Sequence, residues 1–152
     1  LAAFTMAGAA EAMNNMIEEG IRSAAVTDVT HKYRNGDRWL KMERCDYLRP
    51  TVLHVSDCES EMANSEFMFP FVSVTQCPQD QMLKKIGSTL VGTAITKDEA
   101  WIRQLVDARN IDRLNVGAVP TCALNWLQPH EGNIIEFLFR NRAFQNSLPP
   151  AH

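Results

Sequence analysis

Past Pro50 the chain falls into a rhythm of short β-branched runs, "TVLHVS", "FVSVTQC", "TLVGTAIT" and "DRLNVG", separated by segments of helical pattern. In "PQDQMLKKIG" Pro78 stands at the first helical position and Gly87 at the end, the usual asymmetry of helix termini. In "TKDEAWIRQLVDARN" Thr96 precedes Glu99 by three residues, the spacing of a capping box. Its apolar residues Ala100, Trp101, Leu105, Val106 and Ala108 lie mostly along one stripe. Strand, helix, strand, helix, strand is the alternation that builds a parallel sheet with right-handed crossovers. The expected class is α/β, a parallel-stranded sheet with flanking helices. Strands are expected near 50–55, 70–76, 89–95 and 111–117, with helices near 79–86 and 98–109.

The first third has a different texture. Met6, Ala9, Ala10, Met13, Met16 and Ile17 recur at helical spacing, with Glu18 and Glu19 left for solvent and Gly20 as a stop, so an amphipathic helix is expected over 6–21. Leu1 falls inside a helix already under way, which suggests a piece of a longer product. Asn35-Gly36, between "HKY" and "RWLKM", is a strong short hairpin signal. The expected organisation is an N-terminal helix and surface hairpin over 1–46, an α/β part over 47–145 and an irregular tail over 146–152. A last helix, "IIEFLFRNRAFQ", is expected over 134–145, with apolar residues around more of its circumference than one packing stripe needs.

Charge narrows the partners. A formal net charge of −3 gives no electrostatic reason to seek nucleic acid or an anionic membrane. Residues 31–49 do carry six Lys or Arg against three Asp or Glu, with Tyr33 and Trp39 interleaved, but a two-stranded ribbon commonly keeps a solvated charged face. No apolar run reaches the length of a membrane span and the Ala-rich start lacks a basic n-region, so a cytoplasmic location is expected. Four cysteines, Cys45, Cys58, Cys77 and Cys122, show no CxxC spacing and read as reduced thiols.

Motif chemistry is sparse. Nucleotide-binding glycine patterns, HExxH and GxSxG are all missing from the sequence. His54 and Cys58, even with Cys45 or His130, fall short of four directed ligands, and no metal is expected. Cys77 precedes a helix start, where the dipole lowers a thiol pKa; with no histidine near it in sequence it reads as a half-buried cysteine ending a strand. The stretch "AVPTCALNWLQPHEGN" is more informative. A long loop after a strand's C-terminal end is where open α/β sheets place ligand contacts, which makes Cys122, Asn125, Trp126 and His130 candidates; a purely structural excursion explains the same loop.

The succession "YLRPTVLHVSD", "ANSEFMFPFVSV", "LVGTAITKDEAWIRQLVDARNIDRLNVG", "NWLQPHEGN" resembles the C-terminal half of the catalytic domain of NAD(P)-dependent aldehyde dehydrogenases. In that family a "PTV" strand precedes a motif of the form EExFGPVxSV, then a GLxAxVFTxDxxxA strand and helix, a final strand and a PFGGxKxSG loop. Laid on the motif without gaps, "SEFMFPFVSV" puts Glu66 at the second glutamate, Met68 at the usual phenylalanine and Pro70 at the usual proline. Ser65 replaces the first glutamate and Phe69 the glycine; a shift by one residue would make Phe69 the cofactor-facing aromatic.

The resemblance implies an oxidoreductase that converts an aldehyde to a carboxylic acid with NAD or NADP and works as a homo-oligomer. Glu66 would accept the hydroxyls of the nicotinamide ribose, Met68 or Phe69 would pack at the same end of the cofactor, and Cys122, Asn125, Trp126 and His130 would belong to the substrate loop. The family's cysteine nucleophile, its oxyanion donors and its dinucleotide domain precede the "PTV" strand, and none of the four cysteines matches the nucleophile's motif. Residues 1–152 alone are therefore expected to be inactive and to hold no cofactor tightly. The alternative is a non-catalytic α/β module that retains the fold and serves in binding or assembly.

Overall fold

The computed structural model describes residues 2–120 and Leu138, and these divide into two compact units between Lys85 and Ile86. In the first unit, β1 (Ala2–Phe4) leads to α1 (Ala9–Ile21) and β2 (Val26–Asp28), then to the short strands β3 (Trp39–Lys41) and β4 (Asp46–Leu48). β5 (Thr51–Val55), β6 (Phe71–Val74) and α2 (Gln79–Ile86) follow. β1, β4 and β3 form an antiparallel sheet in that order. A second sheet runs β2-β5-β6, with β2 antiparallel to β5 and β6 parallel to it, Thr51 opposite Phe71 and His54 opposite Val74.

The second unit holds β7 (Thr89–Ala94), α3 (Glu99–Asp107) and β8 (Ile111–Val116). β7 and β8 pair in parallel, Thr89 opposite Ile111 and Ala94 opposite Val116, with α3 as the crossover, packed on β8. The four expected strands thus exist and pair in parallel two by two. The expectation of a parallel sheet as the whole architecture is corrected: β2 adds an antiparallel edge, and the first sheet is antiparallel throughout.

The core of the first unit is made by Ala10 and Ile17 of α1, Val26, Leu48, Leu53, Val55, Met62 and Phe69. On β5, Thr51, Leu53 and Val55 point inward while His54 is exposed, the period-2 alternation of a half-buried strand. In the second unit only Trp101 and Leu105 of the α3 stripe are buried, and Val106 is exposed.

Several local expectations fail for reasons visible in the contacts. α1 begins at Ala9, behind Gly8 at φ 78°, and the residues before it pair as β1 with β4, so the chain does not open inside a helix. At its other end α1 closes at Ile21 as expected, one residue past Gly20, a glycine whose added Cβ would clash with Met62 Cγ. Its missing side chain admits Met62 to the core. His31–Tyr33 is a single 3₁₀ turn and the hairpin is β3–β4, reversing over residues 42–45 rather than at Asn35-Gly36. Thr96 does not cap α3; Asp98 does, accepting from the amides of Ala100 (3.0 Å) and Trp101 (3.1 Å), while Thr96 Oγ1 accepts from the Asp98 amide. α2 ends as expected, with Gly87 at φ 63°. Of the helix expected over 134–145, only Leu138 is described, in helical conformation.

Candidate functional site

The segment between β5 and β6 carries Glu66, and its backbone is pinned at several points. Residues 61–63 form a 3₁₀ turn, the Asn64 amide nitrogen donates to the Cys58 and Ser60 carbonyls, and Ser65 Oγ donates to the Glu61 carbonyl at 2.7 Å. Ser73 Oγ ties β6 back by donating to the Met62 carbonyl at 2.6 Å. Phe67, Phe69 and Phe71 turn inward as one cluster, with the rings of Phe67 and Phe71 edge-to-face at 4.8 Å. Such packing adds about 0.5–1.5 kcal/mol per pair beyond the buried area.

Alternation then dictates where the other residues go. Glu66, Met68 and Pro70 are exposed, Met68 to 80%, whereas Phe69 is only 8% exposed. The Glu66 carboxylate has no hydrogen bond or ion pair among the described residues. It is an acceptor on a fixed frame, beside an apolar side chain also turned outward. Phe69 is occupied by the core. Cys122, Asn125, Trp126 and His130 lie outside the described residues.

Sequence reasoning missed a second cluster. Asn14 and Glu18 of α1, Asp28 at the end of β2, Arg34, Arg38 and Thr51 converge beside a cavity of about 650 Å³. Arg38, read above as part of a solvated face, is buried; it donates to Asn14 Oδ1 (3.1 Å), Glu18 Oε1 (2.6 Å), Asp28 Oδ2 (2.7 Å) and Thr51 Oγ1 (3.1 Å). Arg34 also bonds Asp28 Oδ2 and donates to Thr51 Oγ1 at 2.9 Å. The other Asp28 oxygen accepts from Thr30 Oγ1 and from the amides of Thr30 and His31. Burial pushes the Asp28 carboxyl up, but hydrogen bonds from Thr30, Arg34 and Arg38 and the Arg34 charge outweigh it and hold the pKa below the usual carboxylate value. A charge network closed on itself in this way holds α1, β2 and β5 together. The one sequence signal for it is that Asn14 and Glu18 share a helix face at i, i+4 spacing.

Burial, with Cys58 and Asp80 adding to it, pushes the Cys77 thiol up rather than down, contrary to the dipole argument for a helix N-terminus. Among the described residues no group of three or more His, Cys, Asp or Glu is placed to hold a metal ion, and no helix is long and apolar enough to cross a membrane.

No protein-family model and no curated protein matches the sequence. Solved structures do. The Δ-pyrroline-5-carboxylate dehydrogenase of Mycobacterium tuberculosis matches 82% of this chain at 28% identity with a TM-score of 0.63. The chain resembles part of an aldehyde dehydrogenase. The NAD-bound structure of the same mycobacterial enzyme matches 83% of the chain at 27% identity, TM-score 0.62. An aldehyde dehydrogenase of Bartonella henselae matches 75% at 18% identity, TM-score 0.56, a likeness of fold alone. The chain spans only 23–24% of the length of these dehydrogenases.

Proposed function

We propose that this chain is the C-terminal catalytic-domain portion of an NAD(P)-dependent aldehyde dehydrogenase, a cytoplasmic homo-oligomer that oxidises an aldehyde to a carboxylic acid. The observation that carries the reading is the 28% identity over 82% of the chain to a dehydrogenase of this kind. The outward, unpartnered Glu66 supports it, standing beside Met68 in the segment that resembles the family's cofactor motif.

In this reading the cofactor, when bound, supplies the hydride acceptor. Glu66 would receive the ribose hydroxyls: an ionised carboxylate accepts two donors at once, and the pinned backbone of residues 61–65 removes the backbone part of the entropy cost of placing it. Met68 would lie at the same end of the cofactor. Phe69 acts indirectly, since its ring anchors the irregular segment between Glu66 and β6. Cys122, Asn125, Trp126 and His130 would border the aldehyde. The chain on its own is expected to oxidise no aldehyde and to hold neither NAD nor NADP tightly, because a ribose contact does not replace pyrophosphate and adenine contacts.

The test is Glu66→Gln in the complete natural protein that bears this sequence. A lost charge-assisted hydrogen bond of about 1.5–3 kcal/mol predicts a KM for NAD(P) raised roughly tenfold or more, with aldehyde KM little changed. Unchanged cofactor kinetics would remove Glu66 from the site. No oxidation across a panel of aldehydes would favour the non-catalytic module, and micromolar NAD binding by residues 1–152 in calorimetry would contradict the expectation for the isolated chain.

A further inference from the structure

Three buried side-chain polar atoms among the described residues lack a hydrogen bond: Arg34 Nε, Trp39 Nε1 and Thr75 Oγ1. The first two belong to side chains in the wall of one cavity, the space of about 650 Å³ beside α1 and β2. A buried donor without an acceptor is destabilising, and native structures keep few of them. The Arg34 side chain is only 8% exposed, and its terminal nitrogens are already taken, one by Asp28 and one by Thr51, so Nε is the part of the guanidinium left over. The Trp39 ring packs against the core while its N–H finds no acceptor. A cavity of this volume falls in the usual range of small-molecule sites, about 300–1,000 Å³.

The rest of the wall narrows the chemistry of a ligand. Arg34 and Arg38 share Asp28, Arg38 also pairs with Glu18, and Asp37 stands in the same wall. Two guanidinium charges thus meet three carboxylates, and with His31 neutral a simple anion gains little from the field there. The spare negative charge lies outermost: Asp37 is exposed with no hydrogen bond or ion pair among the described residues, and the Glu18 side chain is 55% exposed. Ile21 and Val26 add apolar surface. Unused donors within, unused carboxylate outside and aliphatic surface beside them match a zwitterion with an apolar side chain.

We propose that this cavity binds a free α-amino acid with an aliphatic side chain. The ligand carboxylate accepts from the N–H groups of Arg34 Nε and Trp39 Nε1, its ammonium pairs with Asp37 and Glu18, and its side chain lies on Ile21 and Val26. Both donor side chains already form the wall, so shifts of side chains rather than of the backbone bring them onto the ligand. The site shares no residue with the segment that carries Glu66 and Met68 and is independent of the dehydrogenase reading.

The experiment is calorimetry on the 152-residue chain with L-leucine, with 4-methylpentanoate, which lacks the ammonium, and with 3-methylbutylamine, which lacks the carboxylate. Leucine should saturate one site per chain, and each one-headed analogue should bind roughly tenfold or more weakly, the loss expected for one charge-assisted contact. Trp39→Phe keeps an aromatic ring and deletes the N–H. Without leucine its melting temperature should hold or rise, because an unsatisfied donor has gone, while leucine affinity falls by a similar factor. Asp37→Asn leaves the buried network untouched and should weaken leucine several-fold while 4-methylpentanoate binds as before. No saturable binding of leucine, 4-methylpentanoate binding as tightly as leucine, or leucine affinity unchanged in both variants would each overturn the proposal.

Discussion

Asp28 is shared by two guanidinium groups, and replacing it strands both. The side chains of Asp28, Arg34 and Arg38 are 6%, 8% and 2% exposed, so the attraction is poorly screened and the cost of breaking it falls in the range for buried pairs, about 3–5 kcal/mol. Asp28→Asn should lower the unfolding free energy by that amount, seen as a lower urea midpoint at unchanged slope. The triple change Asp28→Leu, Arg34→Met, Arg38→Met should recover much of the loss, since no buried charge is then left alone. The pH dependence has a definite direction. Because the folded pKa lies below the unfolded one, the Asp28 contribution is complete above about pH 3.9 and disappears as pH falls through the folded value. The stability gap between wild type and Asp28→Asn should therefore narrow as pH falls below about 3.9; a gap of the same size at every pH would refute the network's role. Little of this was legible in the sequence beyond the i, i+4 spacing of Asn14 and Glu18. Residues 14, 18, 28, 34, 38 and 51 are brought together by tertiary structure, and a basic run read in isolation looks like a solvated face. Glu66 is the reverse case, found from a motif, with its exposure following from simple alternation against Phe67, Phe69 and Phe71.

Elements were legible where local pattern and tertiary demand coincide. The boundaries of β5, β7, β8 and α2 follow from β-branched runs, a proline and Gly87, all acting within a few residues. They were illegible where a partner far along the chain decides: β1 exists because β4 is available to pair with it, and a glycine is needed at position 20 because Met62 packs on it. Three substitutions test such causes, two at a local cap and one at a distant contact. Asp98→Ala removes the acceptor for two amides at the start of α3 and should cost about 1 kcal/mol, seen as faster hydrogen exchange at Ala100 and Trp101. Thr96→Ala should leave those two amides unaffected, as among the described residues Thr96 hydrogen-bonds the Asp98 amide and neither of them. At Gly20 two effects compete. Alanine gains about 1 kcal/mol of helix propensity but overpacks against a core side chain, at about 1–3 kcal/mol. Since Met62 is buried and the clash falls on its Cγ and Sδ rather than its free methyl end, overpacking should win and Gly20→Ala should melt lower. A higher melting temperature would mean that Met62 repacks freely.

At the scale of the whole molecule, apolar surface exceeds what the described residues cover. In the first unit Val72 and Val74 of β6 are about half exposed on the face opposite the core; in the second, Leu90, Val91, Ile95 and Val106 are exposed. Isolated apolar residues on a surface need no explanation, but Val72, on the edge strand β6, stands in register with the half-buried Val52 of β5, which brings the two together on one face. Edge strands that are flat and apolar also invite pairing with another chain. The chain spans about a quarter of the dehydrogenases it resembles, and in the proposed reading the remainder of such a protein, together with a second subunit, provides the cover. The isolated 152-residue chain should then bind a hydrophobic dye and associate as its concentration rises, at roughly 25 cal/mol for each Å² of apolar area removed from water. Val72→Thr with Val74→Thr keeps β-branched residues on the strand while making the outer face polar, so dye fluorescence and association should both decrease while the core-dependent melting temperature changes little. Sedimentation decides the matter: a monodisperse monomer at millimolar concentration, silent to the dye, would show that this surface is simply solvated.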